Sequence, residues 1–178
     1  MDVPGDTLVQ LEHLEAAVSY ETYREEMKRK AEVDDPETLS ERDRKYLDYI
    51  KLNDRRTDRV HEEYRPSDRL RALVEEIDGP QTWLVITEDW CGDSAQVLPI
   101  IAEAADLNGA IDLRILPRDE HLDLMDEYLT DGKRAIPKLV ALDEDAAELF
   151  TYGPRPTPAA ELFERRIEEG TPKKEVYR

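Results

Sequence analysis

Cysteine is nearly absent from the chain. Cys91 stands alone among 178 residues, so no intramolecular disulfide can form, and no His/Cys/Asp group has the spacing of a zinc site. The three histidines, His13, His61 and His121, are scattered along the sequence. Long apolar runs are missing too: no window approaches the roughly 18 residues that a spanning helix needs. The start, MDVPGDTLVQ, lacks a basic region followed by an apolar run, so no secretory leader is expected. There is no internal repeat and no low-complexity tract. Lysine is scarce, at 8 against 17 arginines. A soluble chain in a reducing cytoplasm is the expectation.

Acid is what the chain has in excess. Asp and Glu number 43 against 25 Lys and Arg, a formal charge of −18. Such a field repels polyanions, so neither nucleic acid nor an anionic membrane is an expected partner. Acid excess with few lysines suits a high-salt cytoplasm, where screening removes the self-repulsion. A merely acidic soluble protein is the alternative. The apolar share of 39% supports a core of ordinary size, and the length suits one domain with an extension or one large domain.

The two halves differ in pattern. Residues 7–30 place Leu8, Leu11, Leu14, Val18 and Tyr23 on one stripe at helical spacing, which predicts a helix that ends at Asp34-Asp35-Pro36. Ser40 with Asp43 reads as a capping box opening a helix that runs to about Tyr64. Ser67 caps a shorter helix, DRLRALVEEI. From Gln81 the grammar changes: TWLVIT is a buried strand, DSAQVLPIIAEAADLN a helix, IDLRIL a strand and DEHLDLMDEYL a helix. KLVALD and ELFTYG then form a hairpin, and PTPAAELFERRIEE a last helix. Helices between strands imply parallel pairing, with the hairpin adding an antiparallel edge. Residues 1–66 therefore read as a helical N-terminal extension, 67–170 as an α/β domain and 171–178 as a loose tail.

The order from Gln81, β-α-β-α-β-β-α, resembles the thioredoxin fold, and the residues at its junctions are similar to those of the thioredoxin family. Trp90-Cys91-Gly92 arrives at a helix start as in the family's Trp-Cys-Gly-Pro-Cys site. Pro99 lies eight residues on, at the family's helix-kinking proline. Ile136-Pro137 precedes the third strand as does its cis-proline, and Gly153 follows the last strand. More narrowly, TWLVITEDWCGDSAQ, LDLMDEYLTDGKRAIPKLVALD and ELFTYGPRP resemble bacterial thioredoxin-like proteins with a helical N-terminal extension and a single cysteine in Trp-Cys-Gly-Asp. The resemblance implies a mixed-sheet thioredoxin fold over residues 67–169 and a thiol site at Cys91. It also implies departures. Ser94 stands where the resolving cysteine would be, Asp93 where the motif proline would be, and Val85 where the family has a buried acid that assists proton transfer.

Cys91 at a helix start gains thiolate stability from unpaired N–H groups and the helix dipole, worth ~0.3–1 kcal/mol at an exposed site. Glu88, Asp89 and Asp93 oppose a further negative charge, so the expected thiol lies nearer the free value of ~8.5 than an activated ~7. Ser94 is either a hydrogen-bond partner of the sulfur or a plain helix-start residue. Trp90 either shields the sulfur or fills the core. The backbone beside Pro137 would pair with an extended substrate segment, or Pro137 would simply turn the chain. Arg55, Arg56 and Arg59 are candidates to offset the acids or bind an anion, against a solvated helix face. His121 reads as a surface residue.

Three functions compete. The first is a monothiol thiol–disulfide oxidoreductase in cell redox homeostasis, acting on a protein or small-molecule disulfide. It would need no cofactor, but it would use glutathione or another small thiol as co-substrate to resolve the mixed disulfide. The second is a non-catalytic binding module using the groove beside Pro137. A one-cysteine peroxidase ranks last, because no activating arginine and threonine motif is readable near Cys91. The charge balance gives a first test: thermal unfolding in rising KCl should move to higher temperature as self-repulsion is screened, and a melting temperature that falls or stays flat would contradict the high-salt reading.

Overall fold

The computed structural model describes residues 8–172. Residues 173–178 of the expected loose tail lie outside the described residues, as does Thr7 at the start of the first expected helix. The stretch 7–30 is not one helix. It divides into α1 (Leu11–Ala16), β1 (Val18–Ser19) and α2 (Tyr20–Ala31). Ala17 and Ser19 take extended conformations, and the Ser19 hydroxyl accepts the Thr22 N–H at 3.1 Å, capping α2. The break rotates the expected stripe. Leu8, Leu11 and Val18 face outward at 44%, 63% and 37% exposure, while Val9, His13 and Ala17 are buried.

The next two helices follow their local signals. α3 (Glu41–Glu63) opens with the Ser40 hydroxyl accepting the Asp43 N–H at 3.0 Å, and α4 (Asp68–Glu75) with Ser67 accepting from Leu70 at 3.2 Å. Then come β2 (Gln81–Thr87), α5 (Ser94–Ala105), β3 (Ile111–Pro117), α6 (Leu122–Glu127), β4 (Lys138–Leu142), β5 (Glu148–Tyr152) and α7 (Thr157–Glu168). No helix among the described residues is long and apolar enough to cross a membrane.

The five strands form one mixed sheet in the order β1-β3-β2-β4-β5. β2 and β3 are parallel, and every other pair is antiparallel. That corrects the inference that helix-separated strands would all be parallel: β4 runs against β2. The six residues of α6 span ~9 Å at 1.5 Å per residue, against ~23 Å for a seven-residue strand. The helix cannot carry the chain back along the sheet, so β4 enters at the end where β3 exits. A second correction is β1, whose two residues extend the far edge.

Alternate residues of the strands feed opposite faces. Leu84, Ile86, Val140 and Leu142 pack with Val9, Ala17, Leu124 and Met125 on one face. Trp83, Val85, Leu139 and Ala141 pack with Val97, Leu98 and Ile101 of α5 on the other. α3 lies across α5 and α2, so the extension forms part of the wall behind the end of β2.

The Ile136-Pro137 and Gly153-Pro154 peptide bonds are both cis. Gly153 has φ +112°, and a Cβ there would sit 2.2 Å from the Pro137 carbonyl oxygen. Only glycine fits both the left-handed backbone and the close approach. Gly153→Ala should cost about 3 kcal/mol or more in chemical denaturation; a loss of well under half that would mean the Pro137 loop yields freely.

Candidate functional site

β2 delivers Glu88, Asp89, Trp90 and Cys91 to the start of α5. Glu88 and Asp89 are 3% and 6% exposed, so their charges need partners inside the protein. The extension supplies them. Lys30, from α2, donates to Asp89 at 2.9 Å and to Asp43 at 3.3 Å. Arg42, from α3, pairs with Glu88 and Asp43, with a longer contact of 3.5 Å to Asp89. The Asp119 N–H donates to Glu88 at 2.7 Å, and Asn53 Nδ2 donates to the Asp89 carbonyl at 3.0 Å. Burial works to lower the Lys30 ammonium, but Asp89 and Asp43 outweigh it and hold the group above its ordinary value. Burial also raises Glu88, despite the Asp119 N–H and Arg42.

Cys91 itself is 8% exposed. Its thiol donates to the Ile136 carbonyl at 3.4 Å, which places the sulfur beside the backbone preceding Pro137. Burial is the largest influence on the thiol and pushes it above the ordinary cysteine value. The Ser94 hydroxyl and N–H pull it back only in part, Asp93 adds to the rise, and the Asp93 N–H opposes it. The sequence expectation of a near-free value is thus corrected upward, and its cause is corrected as well. Glu88 and Asp89 are tied into the ion network, and Asp93 is clamped by Arg155 through two bonds of 2.9 and 2.6 Å. Burial, not the three acids, dominates.

The remaining expected site residues divide. Ser94 interacts with the sulfur as described and also shares a 2.5 Å hydrogen bond with the Thr87 hydroxyl. Trp90 stacks on Tyr46 with ring centres 5.0 Å apart, and the Arg118 guanidinium lies 5.0 Å from its centre. The Trp90 Nε1 is buried without a hydrogen-bond partner among the described residues. Arg56 reaches the site: its Nη1 donates to Asn53 at 3.3 Å and would lie 3.3 Å from a Cβ on Gly92. Arg59 lies one turn on and donates to Gln96 at 3.4 Å. Arg55 is exposed on the outer side of α3. The cations that offset Glu88, Asp89 and Asp93 are Lys30, Arg42 and Arg155, which sequence reasoning did not single out. Val85 is fully buried in β2.

The histidines are less scattered than the sequence suggests. His13 and His121 meet edge to face at 5.7 Å, and with Asp123 they bring ligand-type atoms within 4.8 Å of one another. The hydrogen bonds of His13 fit a metal poorly. Its Nδ1 accepts the Gln10 N–H at 3.0 Å, so the ring proton belongs on Nε2, which contacts Asp123 at 3.2 Å. A histidine bound through Nε2 needs the opposite arrangement, with Nδ1 donating. His61 bonds Glu103 at 2.9 Å and the Tyr20 hydroxyl at 2.8 Å.

A buried thiol at a helix start, beside a cis-proline and at the end of a central strand, is the arrangement that the sequence resemblance implies. The family model Thioredoxin_9, described as thioredoxin, matches residues 39–169. The chain belongs to that family. The match takes in α3 as well as the strands and helices of the core. No curated protein matches this thioredoxin-family chain. Among solved structures it is similar to a protein of unknown function from Pseudomonas aeruginosa, at 21% identity over 73% of this chain and 78% of the other, with a TM-score of 0.55. It is also similar to an HIV epitope scaffold designated 4E10, at 18% identity over 93% and 91%, with a TM-score of 0.62. Both likenesses concern the fold.

The ion network can be tested directly. Lys30→Met leaves the buried Asp89 and the half-buried Asp43 short of their cation and should destabilise this thioredoxin-like protein by about 3 kcal/mol. Arg29→Met removes only an exposed pair with Glu26 and should change stability little. Equal effects of the two in urea denaturation would show that the network is not structural.

Proposed function

We propose that this protein is a monothiol thioredoxin-fold module that docks an extended segment beside Ile136-Pro137 and exchanges with a disulfide in it through Cys91. The observation that carries the reading is the 3.4 Å contact from the Cys91 sulfur to the Ile136 carbonyl. The sulfur sits where an added strand would pair with the backbone. Among the described residues the Ile136 N–H makes no backbone hydrogen bond, which leaves a donor for such a strand.

The chemistry follows from one thiol. Cys91 loses its proton to solvent, and the thiolate attacks a substrate disulfide. A bond forms between Cys91 and one substrate sulfur, and the other sulfur leaves as a thiolate. With Ser94 in place of a resolving cysteine, an external thiolate such as that of glutathione must attack the substrate sulfur of the mixed disulfide. This step returns Cys91 and leaves the substrate joined to the small thiol. The Ser94 hydroxyl and N–H and the Asp93 N–H stabilise the thiolate. Approach of substrate must also displace the Cys91–Ile136 bond.

The second reading is a binding module that keeps the groove without turnover. The burial of Cys91 favours it, because a thiol raised above its ordinary value offers little thiolate at neutral pH. Both readings use the surface beside Ile136-Pro137.

The pH dependence has a definite sign. A raised thiol value moves the thiolate to higher pH, so the alkylation rate of Cys91 by iodoacetamide should have its midpoint above the ~8.5 of a free cysteine. Native protein incubated with glutathione disulfide on the alkaline side of that midpoint should gain one glutathione at Cys91 by mass spectrometry, released by added thiol. If no adduct forms there while the denatured chain reacts, the exchange reading fails and the binding module stands.

A further inference from the structure

Away from the sulfur, α3, α5 and α7 line an open groove of about 690 Å³, within the ~300–1,000 Å³ range of small-ligand sites. Its walls are mainly apolar, with Val60, Ile100, Leu162 and Phe163 among them. Leu162 remains 43% exposed, so α7 holds its apolar side toward an open space. The charges around the groove are three arginines, Arg59, Arg155 and Arg166, against two carboxylates, Glu63 and Asp93. Arg155 is committed: it clamps Asp93 and lies 4.1 Å over the Phe163 ring. Arg59 and Arg166 are different. Among the described residues neither has a carboxylate within ion-pair distance, and Arg59 bonds only the neutral Gln96. In a chain of net charge −18, two such guanidiniums on the rim of an apolar groove form a local positive exception.

We infer that this groove binds a small amphipathic monoanion, an aliphatic or aromatic carboxylate or sulfonate, with its apolar body between α5 and α7 and its charge at Arg59 and Arg166. Charge complementarity selects the class. The arginines favour one negative group, the apolar walls require a hydrocarbon body, and the acidic surface of the whole chain disfavours polyanions. The site lies beyond the thiol reading. Asp93 touches both regions, but Cys91 is not part of the wall.

The probe is 1-anilinonaphthalene-8-sulfonate, titrated by fluorescence into the full chain at moderate salt. The expected result is saturable binding at one site, displaced by decanoate. Neutral N-phenyl-1-naphthylamine should bind at least about tenfold more weakly, a difference of ~1.4 kcal/mol. The Arg59→Gln/Arg166→Gln protein should lose affinity by a similar factor, and Leu162→Asp should lose it more. These side chains are exposed, and circular dichroism confirms that each variant is folded. Affinity unchanged in both variants, no displacement by decanoate, or equal binding of the neutral probe would overturn the proposal. A dimer in sedimentation that the probe dissociates would also overturn it, by assigning the groove to a second copy. The readout does not involve Cys91, so its failure and that of the thiol reading are separable.

Discussion

The architecture depends on what happens to two carboxylates. Glu88 and Asp89 sit at the end of the central strand, nearly without solvent, where an unpaired charge would cost several kcal/mol. Lys30 and Arg42 answer them from α2 and α3, with Asp43 between the two cations. The helices of the extension are therefore joined to the strand that carries the thiol. Asn53 and Arg56 tighten the same junction from the next turns of α3. The ion network fixes the turn from Asp89 to Gly92, and with it the sulfur's position.

The same placement settles a competition at Cys91. A helix start favours the thiolate by a fraction of a kcal/mol to about one, and the Ser94 and Asp93 donors add to that. Burial under the Ile136 carbonyl runs the other way and wins, so the resting state is a hydrogen-bonded thiol. The acids around the motif, which look decisive in the linear sequence, are each held by a partner. Their effect on the sulfur is secondary to desolvation.

Much of this was legible because it is local. Ser40, Ser67 and the Ile136-Pro137 pair act within a few residues, and caps and turns leave a mark at fixed spacing. β1 was not legible. Its two residues interrupt a run whose apolar positions still fit a helical stripe, and only pairing with β3 decides the matter. The ion network was hidden for a related reason. Lys30 and Asp89 are 59 residues apart, and in a chain where 38% of residues are charged no pattern marks which cation meets which acid. Arg55, Arg56 and Arg59 stood out as a cluster, whereas Arg42 and Arg155, which bind the motif acids, did not. His13 and His121 show the same limit, since 108 positions of sequence separate two rings that touch.

A sulfur kept protonated and out of solvent is also a durable one. Peroxide attacks thiolates, and the ladder from sulfenic to sulfonic acid is entered through an exposed, ionised sulfur. The Ile136 carbonyl that holds the Cys91 proton therefore acts as a chemical cover. Burial and that hydrogen bond together slow oxidation of the chain's single thiol.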